Sequence, residues 1–242
     1  IHFRAKFSGA TGSYHVHAFN FPEKNWPKLM KEFMEEMGLE LNGITTQIES
    51  REWLSELLDQ AARLNNILLD LSQDMWMYIS HNYFTQKKEK GQVGSSTMPH
   101  KVNPINFENA EGNIGISNSL LRHFSDKLLR SRMQRDLSCS TVIRNIGVAF
   151  GHMELAINQI LIGLRKSEPN EKIFRSELNS NYSILSEVIQ ATALRYGKLD
   201  AYSKIKDLSQ GKIWNKHDYK NAVLACELKP EITKRLLQLS PE

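Results

Sequence analysis

A long stretch without glycine or proline is the sequence feature that most constrains how this chain folds. Residues 51–82 contain neither residue type, and apolar side chains recur there in steps of three and four, at Leu54, Leu57, Leu58, Ala61, Leu64, Leu68, Leu71, Met75 and Ile79. Such steps place side chains on one face of an α-helix. At a rise of about 1.5 Å per residue the helix would be roughly 45 Å long, which is typical of a large helical bundle.

The same criteria predict further helices and almost no strands. Two more long helices are expected over residues 104–129 and 140–166, and a short one over residues 26–37 that Gly38 would close. Beyond a break at residues 167–170, shorter helices are expected at 176–195, 201–208, 217–226 and 230–239. Residues 3–21 are rich in Gly, Ser, His and aromatic side chains, which favours a loop with short extended pieces. The predicted fold class is therefore all-α.

Two domains are expected from this organisation. Residues 1–166 would form part of a bundle of long helices, with a charged, glycine-bearing loop near residues 87–104, and residues 167–242 would form a smaller helical domain. The apolar stripes on the long helices are more extensive than one chain of this length can cover. This indicates that further subunits pack against them.

Composition excludes several classes of protein. The 242 residues are 40% hydrophobic and 24% charged, which is ordinary for a soluble globular protein. Cys139 and Cys226 are too few for a disulfide scaffold and suit a reducing compartment, so we expect a cytoplasmic location. No uncharged apolar run reaches about 18 residues, so no membrane helix is expected. The net charge of +4 is weak support for nucleic-acid binding, and neither a nucleic acid nor a membrane is a predicted partner.

The most unusual segment lies between Gly94 and Pro104. It concentrates small hydroxyl side chains, one histidine, one lysine and one asparagine ahead of a predicted helix. Lys101 can neutralise a carboxylate or a phosphate, and Asn103 can orient one. These residue types indicate a candidate anion-binding loop, although an ordinary surface turn has the same composition. The spacing of a Walker phosphate-binding loop is absent.

As a complete string, residues 94–104 resemble the signature loop of the fumarase, aspartase and argininosuccinate lyase superfamily. The form of the loop is similar to that of the adenylosuccinate lyase family, in particular its bacterial type. Residues 45–49, 106–113, 131–136 and 140–145 support the same resemblance, which extends over essentially all 242 residues. It implies a central bundle of long helices and a smaller helical carboxy-terminal domain.

The resemblance implies an elimination reaction in purine nucleotide biosynthesis. A proton would leave the carbon next to a carboxylate and a C–N bond would break. Fumarate would be released from adenylosuccinate, giving AMP, and from succinylaminoimidazole carboxamide ribotide. Such chemistry needs a base, donors for a dianionic carboxylate and an acid for the leaving nitrogen. The resemblance further implies no cofactor, no metal and a homotetramer whose active sites combine residues of several subunits.

The resemblance also assigns roles to individual residues. Ser95 would be the catalytic base, activated by its environment, and Ser96 is either the alternative base or a donor to a substrate carboxylate. Lys101 and Asn103 would hold the succinyl carboxylates. Glu108 would pair with the catalytic histidine and fix its tautomer. Further contacts with the substrate are expected from Gln47, Asn109 and Arg135.

A phosphate site is expected where the third long helix begins. Ser140 and Thr141 would lie at its start and Arg144 one turn later, so that free N–H groups, hydroxyls and a guanidinium converge. Without the resemblance, an ordinary serine N-cap beside an exposed arginine explains the same residues.

One departure from the family pattern affects the expected activity. The family's general-acid histidine lies in a Thr-His-Gly-Gln-Pro type of segment, and no such segment occurs in these 242 residues. The sequence is therefore expected to correspond to the carboxy-terminal half of the enzyme and to be inactive alone. Two alternatives stay open: another fumarate-releasing lyase of the superfamily, such as one acting on argininosuccinate, and a non-catalytic helical scaffold.

Two other patterns favour structural roles. His15 and His17 would share one face of a strand and could then bind a metal, but no further ligand has suitable spacing. Trp76 lies at core-like spacing on the first long helix, which favours buried packing over a cofactor site.

Overall fold

The computed structural model describes residues 1–87 and 103–242, and helices dominate them. The helices are α1 (His15–Asn20), α2 (Trp26–Glu36), α3 (Glu52–Ser80), α4 (Ile105–Leu128), α5 (Ser138–Ile143), α6 (Ile146–Lys166), α7 (Glu171–Ser180), α8 (Ser186–Arg195), α9 (Ala201–Ser209), α10 (Lys216–Ala225) and α11 (Pro230–Leu237), with a 3₁₀ turn at Tyr182–Leu185. The strands β1 (Arg4–Ala5) and β2 (Glu40–Leu41) pair in parallel, and β3 (Phe84–Gln86) pairs with β4 (Ser167–Pro169). The predicted all-α class is confirmed.

The chain divides into two compact units. The first comprises Ile1–Ile79 and Gln86–Ser167, and the second comprises Ser80–Thr85 and Glu168–Glu242. Each unit has a hydrophobic cluster of its own. The assignment of residues 1–166 to a central bundle domain and of residues 167–242 to a carboxy-terminal domain stays a prediction.

Three helices, α3, α4 and α6, build the core of the first unit. One cluster joins them, together with Cys139 of α5, through Leu58, Ala61, Ala62, Leu121, Phe124, Leu128 and Ala149. The buried positions of α3 and α4 recur mostly in steps of three and four. Of the stripe expected on α3, Leu58, Ala61, Met75 and Ile79 are buried, whereas Leu64 and Leu71 are 46% and 37% exposed. The amino-terminal part of α4, which carries Glu108, is held in the first unit by the buried side chains of Phe107, Ala110 and Ile114.

A glycine brings α6 close to the start of α4. A β-carbon on Gly163 would lie 2.8 Å from ring atom Cζ of Phe107. Phe107 is 1% exposed, so its ring is enclosed and has little room to move aside. Gly163 therefore permits a helix contact that a larger residue would push apart.

Buried polar side chains cross the contact between α3 and α4. Asn65 Nδ2 donates to Ser117 Oγ and to Asn118 Oδ1, each at 3.0 Å. Asn118 Nδ2 donates to Asn66 Oδ1 at 2.8 Å, and Ser117 Oγ donates to the carbonyl of Ala149 on α6 at 2.9 Å. Because an unpartnered buried polar group costs about 1–3 kcal/mol, these bonds make the helix contact specific as well as apolar.

The second unit packs around α8, α9, α10 and α11. Its core consists of Tyr182, Ile189, Ala193, Ala201, Ile205, Trp214, Tyr219, Ala222, Val223, Cys226 and Leu236. The buried Tyr219 hydroxyl donates to the carbonyl of Leu236 at 2.7 Å, which ties α10 to α11. Asn215 and Asp218 form a reciprocal cap that starts α10.

Three expectations about local structure are wrong. The helix expected over residues 140–166 is two helices, α5 and α6, which meet at Arg144 and Asn145. The helix expected over residues 176–195 is interrupted near Asn181, because the N–H of Tyr182 donates to the carbonyl of Trp214 instead of continuing a helix. Residues 15–20, expected to be loop, form α1. At the first two of these points a hydrogen bond, rather than glycine or proline, accompanies the interruption of the expected helix.

Helix α6 carries a second, exposed apolar stripe. Val148, Leu155 and Ile162 follow one another at intervals of seven residues and are 49%, 50% and 36% exposed. Apolar residues seven apart are typical of a helix that packs against another helix.

By length and composition alone, the stretch covering α5 and α6 could also cross a membrane, which is weak evidence for one such helix.

Candidate functional site

The described residues include most of the predicted site. They contain Gln47, Asn103, Glu108, Asn109, Arg135, Ser140, Thr141 and Arg144. Ser95, Ser96 and Lys101 lie outside the described residues, so their roles stay predictions. Asn103 is half-buried just before α4, and Glu108 lies in the first turn of that helix.

Gln47 lies in the loop between β2 and α3, and its backbone is held from two sides. Its N–H donates to Oε1 of Gln134 at 3.0 Å, and its carbonyl accepts from Nζ of Lys6 at 2.6 Å. Gln47 is exposed, and its side-chain amide has no hydrogen bond within residues 1–87 and 103–242. A fixed backbone with an unengaged amide is suited to binding a ligand.

The loop that carries Gln47 packs closely against the amino-terminal segment. Gly12 has a φ of +80°, and a β-carbon there would lie 2.0 Å from the carbonyl oxygen of Thr45. Both the conformation and the contact exclude a side chain at this position. Gly12 therefore allows the amino-terminal segment to position the loop that carries Gln47.

Asp136 fixes the loop between α4 and α5, which contains Arg135. Its side chain is 8% exposed. The carboxylate accepts from the N–H of Ser138 at 2.9 Å and from the hydroxyl of the same residue at 2.8 Å. Nζ of Lys127 and Nε of Arg132 each lie 3.3 Å from Oδ2. One carboxylate thus joins the end of α4, the loop and the start of α5.

These bonds hold the pKa of Asp136 well below its ordinary value of 3.8, with the N–H of Ser138 having the largest effect, followed by its hydroxyl and by Arg132. A lowered folded-state pKa adds stability above the unfolded-state pKa, and this stability is lost as the pH falls toward the folded-state value. We expect Asp136→Asn to lower the urea midpoint near neutral pH. The difference in urea midpoint between this variant and the unaltered chain should become smaller as the pH is lowered from about 5 to about 3.

Asp126→Asn provides the matched control for this measurement. Asp126 pairs with Arg130 at an exposed position, where an ion pair contributes little. Replacing Asp126 should change the urea midpoint only slightly, both near neutral pH and at about pH 3. An Asp136→Asn gap that is as wide in acid as at neutral pH would contradict the expectation.

Two arginines of this region are not ion-paired within the described part of the chain. Arg135 and Arg144 are exposed and have no carboxylate partner there, whereas the neighbouring Arg132 pairs with Asp136. An unpaired guanidinium can bind a carboxylate or a phosphate through two parallel hydrogen bonds. The loop and α5 therefore present positive charge that the described residues do not neutralise.

The local geometry predicted for the phosphate site is wrong. Helix α5 begins at Ser138, so Ser140 and Thr141 lie within it, and Arg144 follows its last residue. The N–H of Ser140 donates to the carbonyl of Leu137 at 3.0 Å and is not free for an anion. Thr141 is exposed and Ser140 half-buried, so the hydroxyls stay candidates. Their role as phosphate contacts stays a prediction.

Two carboxylates of α4 accept hydrogen bonds from α3. The indole N–H of Trp76 donates to Oε1 of Glu108 at 3.0 Å. One turn earlier on α3, Nε2 of Gln73 donates to Oε1 of Glu111, also at 3.0 Å. Trp76 is 44% exposed, so its predicted place in the buried core is wrong.

Asn109 ends a short hydrogen-bonded chain that reaches α6. Nδ2 of Asn113 donates to the carbonyl of Asn109 at 2.9 Å and to its Oδ1 at 3.0 Å. Oδ1 of Asn113 lies 2.8 Å from Nδ1 of His152. Because the Asn113 amide donates to Asn109, its oxygen must be the acceptor, and Nδ1 of His152 carries the hydrogen. This chain orients the side chain of Asn109.

The strand geometry considered for a histidine metal pair is wrong, because His15 and His17 lie on α1. His17 packs instead against the rings of Tyr14 and Trp26, at centroid distances of 5.7 and 5.0 Å. Across residues 1–87 and 103–242, no three His, Cys, Asp or Glu side chains group in a way that could hold a metal.

Two family models match the chain. One, described as lyase, matches residues 2–116, and the other, described as the carboxy-terminal part of adenylosuccinate lyase, matches residues 131–242. Together they include every residue assigned to the candidate site. The chain belongs to the adenylosuccinate lyase family.

Curated members of the adenylosuccinate lyase family align along nearly all of this sequence. Adenylosuccinate lyase of Legionella pneumophila strain Corby is 45% identical over 238 residues, 98% of this chain and 52% of the relative. Those of Buchnera aphidicola subsp. Acyrthosiphon pisum and Escherichia coli K12 are each 44% identical, over 100% and 98% of this chain and 53% and 52% of their own lengths. The chain spans about half the length of the curated relatives it matches.

Sequence reasoning missed the residues that hold this family's candidate site in place. Lys6, Gly12 and Gln134 act through contacts between segments far apart in the chain, which no local pattern reveals. Asp136 offered a signal, since it is a lone acid in a stretch that also holds Arg132 and Arg135.

Proposed function

We propose that the full natural chain containing this sequence is an adenylosuccinate lyase of purine nucleotide biosynthesis. It eliminates fumarate from adenylosuccinate, giving AMP, and from succinylaminoimidazole carboxamide ribotide. The name of the curated relatives supports this reaction. The structural observation that carries the proposal is the pair of exposed guanidiniums, Arg135 and Arg144, without ion pairs among the described residues. Both substrates bear a phosphate and two carboxylates, which need such partners.

The proposed chemistry follows the roles that the resemblance assigns. Ser95, or in its place Ser96, removes the proton from the carbon next to a carboxylate. Lys101 and Asn103 hold the succinyl carboxylates and stabilise the negative charge that develops there. The C–N bond then breaks, and the leaving nitrogen takes a proton from the family's histidine, which Glu108 orients. No cofactor or metal enters these steps.

We also propose that the active enzyme is a cytoplasmic homotetramer with active sites shared between subunits. The exposed stripe of Val148, Leu155 and Ile162 on α6 supports this assembly, because seven-residue spacing suits contact with another helix. In such an assembly Gln47 and Arg144 of one chain can serve different active sites.

Fumarate release from adenylosuccinate tests the proposal. The full natural chain and the 242-residue chain are compared side by side, and we expect turnover from the first and none from the second, since the second lacks the histidine segment. Argininosuccinate and malate serve as alternative substrates. Turnover of either one, without turnover of adenylosuccinate, would assign the protein to another branch of the superfamily. No turnover of any substrate would support the scaffold alternative.

A further inference from the structure

The contact between Trp76 and Glu108 joins an uncharged donor to a carboxylate that the proposed reaction uses. The indole N–H lies 3.0 Å from Oε1 of Glu108. Glu108 is exposed, and no lysine or arginine of the described part forms an ion pair with it. An indole N–H only donates, so the direction of this hydrogen bond is fixed.

We infer that Trp76 is a positioning residue for Glu108: its indole N–H holds Oε1, which leaves Oε2 to accept a hydrogen bond from the catalytic histidine. The inference rests on the proposed function, in which Glu108 pairs with that histidine. A carboxylate that rotates freely about its last torsion would present either oxygen in many directions. One fixed oxygen restricts the other to a narrow range.

The chemical type of the donor supports this role. A lysine or arginine in place of Trp76 would form an ion pair with the carboxylate and compete with the histidine for it. The uncharged indole orients Glu108 and leaves its negative charge to act on the histidine. Indole is also rigid, with only two side-chain torsions, so a hydrogen bond from it restricts Glu108 more than one from a long flexible chain.

The pair one turn away offers a built-in comparison. Gln73 and Trp76 are three residues apart on α3, and their acceptors Glu111 and Glu108 are three residues apart on α4, with the same donor–acceptor distance of 3.0 Å. Glu111 has no assigned role in the reaction. The Gln73 contact also shows that a glutamine on this face of α3 can reach a glutamate on α4, so Trp76→Gln should restore a donor to Glu108.

The test measures kcat and KM for fumarate release in the full natural chain. Trp76→Phe keeps the aromatic ring and removes the donor, and we expect kcat to fall about tenfold to a hundredfold, with KM changed less than about twofold. Trp76→Gln should recover most of that loss. Gln73→Leu, which removes the neighbouring donor, should stay within about twofold of the unaltered chain in both constants.

A double-mutant cycle separates positioning from packing. In a Glu108→Gln background, adding Trp76→Phe should change kcat by less than about twofold, because the carboxylate that Trp76 orients is already gone. Three results would each overturn the inference and leave the proposed function standing. They are fully additive effects of the two substitutions on kcat, equal losses of kcat in Trp76→Phe and Trp76→Gln, and an unchanged kcat in Trp76→Phe. An unaltered chain that releases no fumarate would overturn both.

Discussion

Ser95→Ala in the full natural chain should lower kcat for fumarate release by about a thousandfold or more, with substrate binding retained. A general base accounts for about 10²–10⁴ of the rate, and alanine has no group that can accept the proton. The succinyl carboxylates and the phosphate keep their own partners in this variant, so ground-state affinity should change little. Single-turnover kinetics gives the chemical step, and equilibrium binding of adenylosuccinate gives the affinity.

Ser96→Ala is the matched control, because it removes the same hydroxyl one residue away. If Ser96 donates to a substrate carboxylate, its loss should raise KM more than it lowers kcat. Near-normal turnover of Ser95→Ala together with a lost kcat in Ser96→Ala would move the role of base to Ser96. Near-normal turnover of both variants would remove the serine pair from the mechanism.

Leu155→Asp should break the tetramer and lower fumarate release by about a hundredfold or more. Leu155 is half exposed in this chain and lies at the centre of the α6 stripe, between Val148 and Ile162. In the proposed assembly the new carboxylate would be buried against another helix without a partner, which costs several kcal/mol. Activity would fall when the assembly is lost, because in the proposed tetramer each active site combines residues from more than one subunit.

Ile213→Asp is the control, because it introduces the same charge in place of another exposed aliphatic side chain. Ile213 is 75% exposed in the loop between α9 and α10, outside the α6 stripe. Light scattering should report a tetramer for this control and a smaller species for Leu155→Asp, with circular dichroism checking that both variants keep their helices. A Leu155→Asp protein that stays tetrameric and active would show that the stripe is not an interface between subunits.

The sequence predicted helices where a stripe and a stop signal coincide. The helix expected at residues 26–37 is α2, and Gly38 follows it with a φ of +72°, as a helix-closing glycine should. The break at Asn145 was missed because it uses neither glycine nor proline. There the N–H of Asn145 donates to the carbonyl of Val142 and its side chain to that of Thr141. Such local bonds depend on the final fold and leave no periodic trace.

The candidate site was only partly predictable for a related reason. Residue types that bind an anion can be read from a string, as for Lys101 and Asn103, whereas Gln47 and Arg135 were assigned only by the family resemblance. Which of these residues lack an ion pair depends on their neighbours in the fold. Arg132 and Arg135 look alike in the sequence, and only the structure shows that Asp136 pairs with Arg132. Trp76 was misassigned because helical spacing says which face a residue occupies and not whether another helix covers it.

The buried amides between α3 and α4 have a consequence for the far end of the same contact. Small or apolar side chains recur along the buried faces of both helices, so apolar packing alone would tolerate sliding one helix by a turn, about 5.4 Å. Sliding would separate Asn65 from Ser117 and Asn118 and leave the amides unpartnered. The amides therefore determine the axial register of the two helices. Trp76 contacts Glu108 about 15 Å farther along the same pair of helices, at about 1.5 Å per residue. The buried amides therefore help to determine the orientation of the Glu108 carboxylate, although they do not contact it.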